Sequence, residues 1–498
     1  MSEEASSGQT SAPVPDSETL KALRGRLEAL RSAVRDNARQ LAPHRGFEVA
    51  LQLTDGVDGL VRELAGIAEQ SLELTEGRQA RVMAERVEIV ALGSYGRREL
   101  CPRSDIDLLF LVPSDLPTGG ELPDPVRQFV EGVLYGLWDV GLEVGQGVRT
   151  VDETLEVARA DPSVLTALLD ARIIARGGVA DAICPNLDAL QRQLQAQLLS
   201  GPQVSKLIDA KLEEARARHG RFGDSVFLLE PNVKESEGGL RELHTARWVA
   251  RARWRARDQR DLVRLGVLSS REGLSLERAY GFLLRVRAEL HFIARRRQDH
   301  LRFEYQEQIA PVLGYVDPNE EDHDRRTHGV ERFMRAYYFN AGQLRLHSGM
   351  VVERGTSHRR RRACQATPAP GGFKFWDGKL TVTERTQFLK DPVSLVRIFR
   401  IAQEEAVEIY SYTKNLIVEH ARLIDRTQRR GPAVVAEWLA LLEDPKSDGS
   451  IFDVLHDLGV LRRLLPEFSR VTARWQHSLY HVYTVDVHSL VVLKNLKR

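Results

Sequence analysis

The stretch that most constrains this chain is residues 87–112, VEIVALGSYGRRELCPRSDIDLLFLV. Val87, Ile89, Val90 and Leu92 form a short β-prone run that stops at Gly93-Ser94. A polar, arginine-rich loop follows, and 106–112 is a second β-prone run. Asp105 and Asp107 stand at the start of that second strand, two apart, and so project to one face. Two carboxylates this close repel each other unless a cation lies between them, and hard oxygen ligands at that separation suit Mg²⁺. Gly93 lets backbone approach a ligand closely, and Ser94 offers a hydroxyl and an N–H to a phosphate. A phosphate cradle facing a metal-binding carboxylate pair is equipment for nucleotidyl transfer. Taken singly, an Asp-x-Asp is usually a solvated loop boundary and a Gly-Ser usually a turn. Ten residues between Ser94 and Asp105, with a strand on each side, make the joint reading the stronger one.

Elsewhere the sequence narrows the field mainly by exclusion. Its 498 residues leave room for about three domains. Lys+Arg 71 against Asp+Glu 70 gives a net charge of +1, so no global field recruits nucleic acid. No run of eighteen apolar residues is present, so no membrane association is expected. The opening MSEEASSGQTSAPVPD lacks the apolar core of a signal peptide, and a cytoplasmic location is expected. Cys101, Cys184 and Cys364 are scattered and odd in number, against a disulfide framework or a cysteine-based zinc site.

Read in order, residues 1–16 are expected to be a disordered tail and 17–152 the catalytic domain with its leading helices. Leu20, Leu23, Leu27, Leu30, Val34 and Leu41 recur at helical spacing, as do Val57, Leu60, Val61, Leu64 and Ile67, and both stripes are expected to pack on the back of the sheet. Residues 126–140 read as a helix and 142–150 as a third strand, weakened by Gly145 and Gly147. From 151 the chain reads as nearly all helical, 153–354 forming one helical domain with Gly177-Gly178 as a helix stop. Gly238-Gly239 precedes a long helix flanked by Lys234 and Arg241, an arrangement that suits phosphate but equally describes a glycine turn with solvated charges. The arginine-rich run 247–264, with Trp248 and Trp254, reads as a helix surface that a partner can face. Residues 355–372 read as a linker, 373–470 as a mainly helical connector opening on the β-prone FKFWDGKLTVT, and 471–498 as the start of a further domain.

The Gly-Ser…Asp-x-Asp pattern resembles the signature of the DNA-polymerase-β-like nucleotidyltransferases. That superfamily draws a third carboxylate from a later strand. Glu143 is the best placed candidate here, with a solvent-facing strand edge as the alternative. Four stretches in order, GSYGRRELCPRSDIDLLFL, LWDVGLEVGQGVRT, LLEPNVKESEGGLREL and LPEFSRVTARWQHSLYHVYTVDVHSLVVLKNL, resemble the bacterial PII uridylyltransferase/uridylyl-removing enzymes. The 234–242 segment also resembles the glutamine-synthetase adenylyltransferases.

The resemblance implies an α+β fold: a small polymerase-β-like sheet with helices, a mainly helical region, and the truncated start of an HD-type domain. It implies transfer of UMP from UTP to a tyrosine of the PII protein, with Mg²⁺, or Mn²⁺ in its place, on Asp105 and Asp107. Gly93 and Ser94, with Lys234 and Arg241, would bind the nucleotide. His488 resembles the first metal ligand of the HD phosphohydrolases; SLVVLKNLKR follows it without His or Asp, so the uridylyl-removing half and the glutamine-sensing ACT domains are expected to be absent from this chain. His477 and His481 read as packing or solvent histidines. An adenylyltransferase acting on another protein and a non-catalytic PII-binding module are the alternatives.

Overall fold

The computed structural model describes residues 15–115, 122–179, 183–223, 225–357, 366–472 and 483–497. The expectations for residues 1–14, Cys364, His477 and His481 lie outside these. The described residues are mixed α and β, mostly helical, with two small sheets among them. It divides into two compact units: Met1–Glu214 with Leu284–Asp299, and Ala215–Leu283 with His300–Arg498.

The first unit opens with helices α1 (Ser17–Gln40), α2 (Gly46–Glu76) and α3 (Arg78–Ala84). Asp16 caps α1, its carboxylate accepting the Thr19 N–H at 2.7 Å. Strand β1 (Glu88–Leu92) runs into a single helical turn, α4 (Gly93–Gly96), before β2 (Ile106–Leu111). Helix α5 (Asp124–Val140) and β3 (Val144–Arg149) follow. The apolar stripes of α1, α2 and α5 share one core with β1 and β2, in which Leu27, Leu60, Leu64, Ile89, Phe110 and Phe129 are almost fully buried. Burying one such side chain stabilises by about 1.5–3 kcal/mol, which is why the stripes are core.

The sheet order is β3-β2-β1-β4, with β1 antiparallel to β2 and β4 and β2 parallel to β3. Strand β4 (Arg172–Arg176) corrects the all-helical reading of the region after 151. The helix Pro162–Leu169 stops at Asp170, and the β-branched pair Ile173-Ile174 then fills the sheet edge beside β1. The first unit therefore runs past residue 152. It also takes in 284–299, from which Ala288 and Phe292 enter its core and the Arg285 guanidinium donates to the Ala38 carbonyl of α1.

In the second unit the helix Leu240–Trp254 packs along His323–Ser357. The arginine-rich run is less of an open face than its composition suggests: Trp248 is buried, and the Arg247 guanidinium lies 4.7 Å over the Tyr280 ring. A separate core follows, built on strands β5 (Thr367–Pro368), β6 (Phe373–Trp376) and β7 (Lys379–Val382), with Phe388, Phe399, Ile417 and Phe452 among its buried side chains.

Candidate active site

Register places the carboxylates. Asp107 of β2 pairs with Leu92, the last residue of β1, and with Gly145 of β3. Paired residues project to the same face, so the end of β1, the α4 turn and β3 converge on Asp107. A Cβ on Gly145 would stand 2.6 Å from Asp107 Oδ1, and one on Gly93 3.2 Å from Oδ2. Glycine at both positions thus keeps side-chain atoms away from the carboxylate on these two sides. Gly93 also has φ +55°, a left-handed conformation that glycine adopts without strain. Ser94 is half-buried, and its carbonyl accepts the Glu99 N–H at 2.8 Å.

Asp105 lies just before β2, and Arg297 Nη1 stands 3.2 Å from its Oδ2, with both side chains about half exposed. Glu143 precedes β3, and its carbonyl accepts the Ile106 N–H at 2.9 Å, extending the parallel ladder by one step. Glu143 is exposed, and it and Asp105 are the residues just before Val144 and Ile106, the pair that opens the ladder. Among the described residues no group of three or more His, Cys, Asp or Glu is gathered tightly enough to hold a metal ion. The site therefore offers a carboxylate pair, with Glu143 adjacent in register.

Buried ion pairs hold the turn and the loop after it. Arg97 bonds Glu99 at 2.7 Å and Asp170 at 2.6 Å, all three largely shielded from water. Arg172 of β4 makes a two-pronged contact with Asp58 of α2 at 2.8 and 3.0 Å and lies 5.5 Å over the Tyr95 ring.

Sequence reasoning misses a second support, the 284–299 segment. The Arg103 N–H donates to His291 Nδ1 at 3.2 Å, so the opposite nitrogen carries the proton and faces Asp299 Oδ1 at 3.4 Å. Arg287 Nε donates to the same Asp299 oxygen at 2.6 Å, and its Nη1 reaches Cys101 Sγ at 3.6 Å. Burial pushes the His291 imidazole down to about 4, keeping it neutral. Burial raises Asp299, but the bonds from His291 and Arg287 prevail and hold it well below the usual carboxylate range. Loop 101–105, which carries Asp105, is thereby anchored from the far end of the segment. No sequence motif marks Arg287, His291 or Asp299; the one local signal is the polar pair Arg287 and His291 among the apolar residues at the end of the helix Ser270–Ala294.

Lys234 and Arg241 belong to the second unit. There Lys234 Nζ and Arg241 Nε each lie 3.7 Å from Glu235 Oε1, and the Arg241 guanidinium stands 5.7 Å over Trp248. Asn232 Oδ1 shapes the loop before them by accepting the Lys234 and Glu235 N–H groups at 3.1 and 2.8 Å. His488, also of this unit, is exposed on the helix Val485–Lys497.

The mixed sheet, with a glycine-serine turn beside a strand-end aspartate, is that of a protein of the nucleotidyltransferase class, as its relatives show. The family model described as GlnD PII-uridylyltransferase matches residues 206–352, and that of the uridylyltransferase GlnD third domain matches 373–464. The chain is 34% identical over 480 residues to the bifunctional uridylyltransferase/uridylyl-removing enzyme of Novosphingobium aromaticivorans, covering 95% of the chain and 50% of that protein. It is 36% identical over 436 residues to the enzyme of the same name from Rhodospirillum rubrum, covering 84% of the chain and 44% of the relative. With the Azospirillum brasilense enzyme it shares 34% over 480 residues, 95% of the chain and 49% of the relative. The chain thus spans about half the length of the curated relatives it matches, and it belongs to the GlnD uridylyltransferase family. No helix among the described residues is long and apolar enough to cross a membrane.

Proposed function

We propose that this chain transfers UMP from UTP to a tyrosine hydroxyl of the PII signalling protein, with pyrophosphate as the leaving group and Mg²⁺, or Mn²⁺ in its place, on Asp105 and Asp107. The observation that carries this reading is the convergence of the Gly93-Ser94 turn, β3 and Asp107 at one end of the sheet, with glycine rather than a side chain at 93 and 145 next to the carboxylate. An all-oxygen donor pair fits a hard divalent cation. When bound, such ions neutralise triphosphate charge and lower the pKa of the attacking hydroxyl.

The residues of the chain do the positioning. The backbone of the Gly93-Ser94 turn and the Ser94 hydroxyl orient the triphosphate, and Arg297 adds a cation at the rim beside Asp105. The tyrosine oxygen bonds to the α-phosphorus, its proton passes to water, and the bond to the bridging oxygen breaks as pyrophosphate leaves. Alignment and charge neutralisation supply the rate, and no covalent enzyme intermediate is required. In the same reading Glu143 supplies the third carboxylate, Lys234 and Arg241 are nucleotide-binding residues, and His488 matches the first metal ligand of the HD phosphohydrolases.

Incubating purified PII with the chain and labelled UTP or ATP in parallel tests the proposal. UMP transfer that falls by about a hundredfold or more in Asp105→Asn and Asp107→Asn, with unchanged melting, is the expected result. AMP transfer would instead support adenylylation, and binding without transfer a non-catalytic module.

A further inference from the structure

The second unit contains a cavity of about 660 Å³ that shares no residue with the transfer site. Much of its wall comes from the helix His323–Ser357, and His456, Asp457 and Arg462 close another side. This volume lies within the ordinary range for small-molecule sites, about 300–1,000 Å³.

Its charge is lopsided. Arg332, Arg335 and Arg462 line it, and none has a carboxylate partner among the described residues; the Arg332 guanidinium donates only to the Tyr315 carbonyl, at 2.6 Å. Arg345, which also lines the cavity, is neutralised by Asp457 and by Glu237, the latter at 3.1 Å. Arg332, Arg335 and Arg462 are exposed, and the one carboxylate in the lining, Asp457, is taken by Arg345, so an external anion can supply their counter-charge and their planar forks suit phosphate oxygens.

The rest of the lining sets the shape of that anion. Phe227, Tyr338, Phe339 and Leu346 supply an apolar and aromatic surface, with Phe339 65% exposed despite its size. An exposed aromatic ring beside arginines is a stacking platform for a planar base. Inorganic phosphate alone would leave that surface uncovered. We propose that this cavity binds a nucleoside phosphate, the phosphate on Arg332, Arg335 and Arg462 and the base against Phe339.

The test uses the whole chain in EDTA, which removes metal-dependent nucleotide binding at Asp105 and Asp107, and follows N-methylanthraniloyl-ATP by fluorescence. Saturable binding is expected, weakened at least tenfold in an R335E/R462E double variant that melts as the parent does, and unaffected by Asp107→Asn. Phe339→Ala should weaken it severalfold while leaving displacement by inorganic phosphate unchanged. Lack of saturation at millimolar probe would overturn the proposal. So would loss in Asp107→Asn with none in the charge-reversed variant, or displacement by inorganic phosphate as readily as by ATP.

Discussion

Arg297 Nη1 lies 3.2 Å from Asp105 Oδ2, although 192 residues separate them in sequence. The guanidinium occupies one flank of the carboxylate on which the proposed metal would sit. Both side chains are about half exposed, so water screens the pair and its strength is of the order of 0.2–1 kcal/mol.

Arg297→Ala is therefore expected to favour the metal, since a competing cation is removed. The Mg²⁺ or Mn²⁺ concentration for half-maximal binding should fall by up to about fivefold, the equivalent of that energy range. Calorimetric titration of Mn²⁺ into parent and variant measures it directly. A higher metal requirement in the variant would show that Arg297 assists the cation.

Gly145→Ala should cost transfer without costing the fold. The added Cβ would stand 2.6 Å from Asp107 Oδ1, and the carboxylate end is the part that can move. A displacement of about 1 Å at a reacting centre can lower a rate by about a hundredfold. The expectation is a fall of tenfold or more in turnover, with melting within a few degrees of the parent. Unchanged turnover would mean that Asp107 does not need its present position.

His291 predicts an acid-sensitive anchor for loop 101–105. Its folded pKa, about 4, lies below the unfolded value of about 6.5, so the unfolded chain takes up the proton first. Its contribution is present above pH 6.5 and lost as pH falls through 4. Melting temperature should drop over that window more steeply in the parent than in His291→Asn, which keeps an acceptor near the Arg103 N–H but does not titrate. Parallel pH profiles would remove the anchor.

The reverse sign applies at His456 in the second unit. Burial lowers its pKa, but the bonds to Asp457 and Asp486, the latter at 2.7 Å, prevail and raise it to about 9. The folded state holds the proton more tightly, so the stabilisation is full below about pH 6.5 and disappears as pH rises through 9. The shift corresponds to roughly 3 kcal/mol. Urea midpoints of the parent and His456→Gln should differ most near pH 6 and converge by pH 10.

How much of this is legible in the sequence depends on how far apart the partners lie. The facing of Gly93 and Asp107 is local: two β-prone runs joined by a short polar loop pair antiparallel, and period-two alternation then puts Asp105 and Asp107 on one face. Strand β4 is hidden because RIIAR continues an apolar pattern that reads as helix until its pairing with β1 is known. His291 and Arg103 meet across 188 residues, and a histidine or arginine on an amphipathic helix looks the same in sequence whether it meets water or a loop. Arg287, Asp299 and Arg297 are silent for the same reason. The cluster of Lys234 and Arg241 is legible as cationic, but Glu235, which they share in the fold, is indistinguishable from any solvated acid.

The long reach from 284–299 back to loop 101–105 also sets a clock on biosynthesis. Chains emerge at about 5–20 residues per second, so a separation of 192 residues puts roughly 10 to 40 s between the appearance of Asp105 and that of Arg297. Over that interval a nascent chain already holds both carboxylates, the glycine-serine turn and the Arg97 ion pairs, yet lacks Arg287, His291, Arg297 and Asp299, which reach loop 101–105 from the later segment. On the proposed function, competence for transfer would wait until the first unit is closed by 284–299, a segment made after 215–283 of the second unit and before the rest of it.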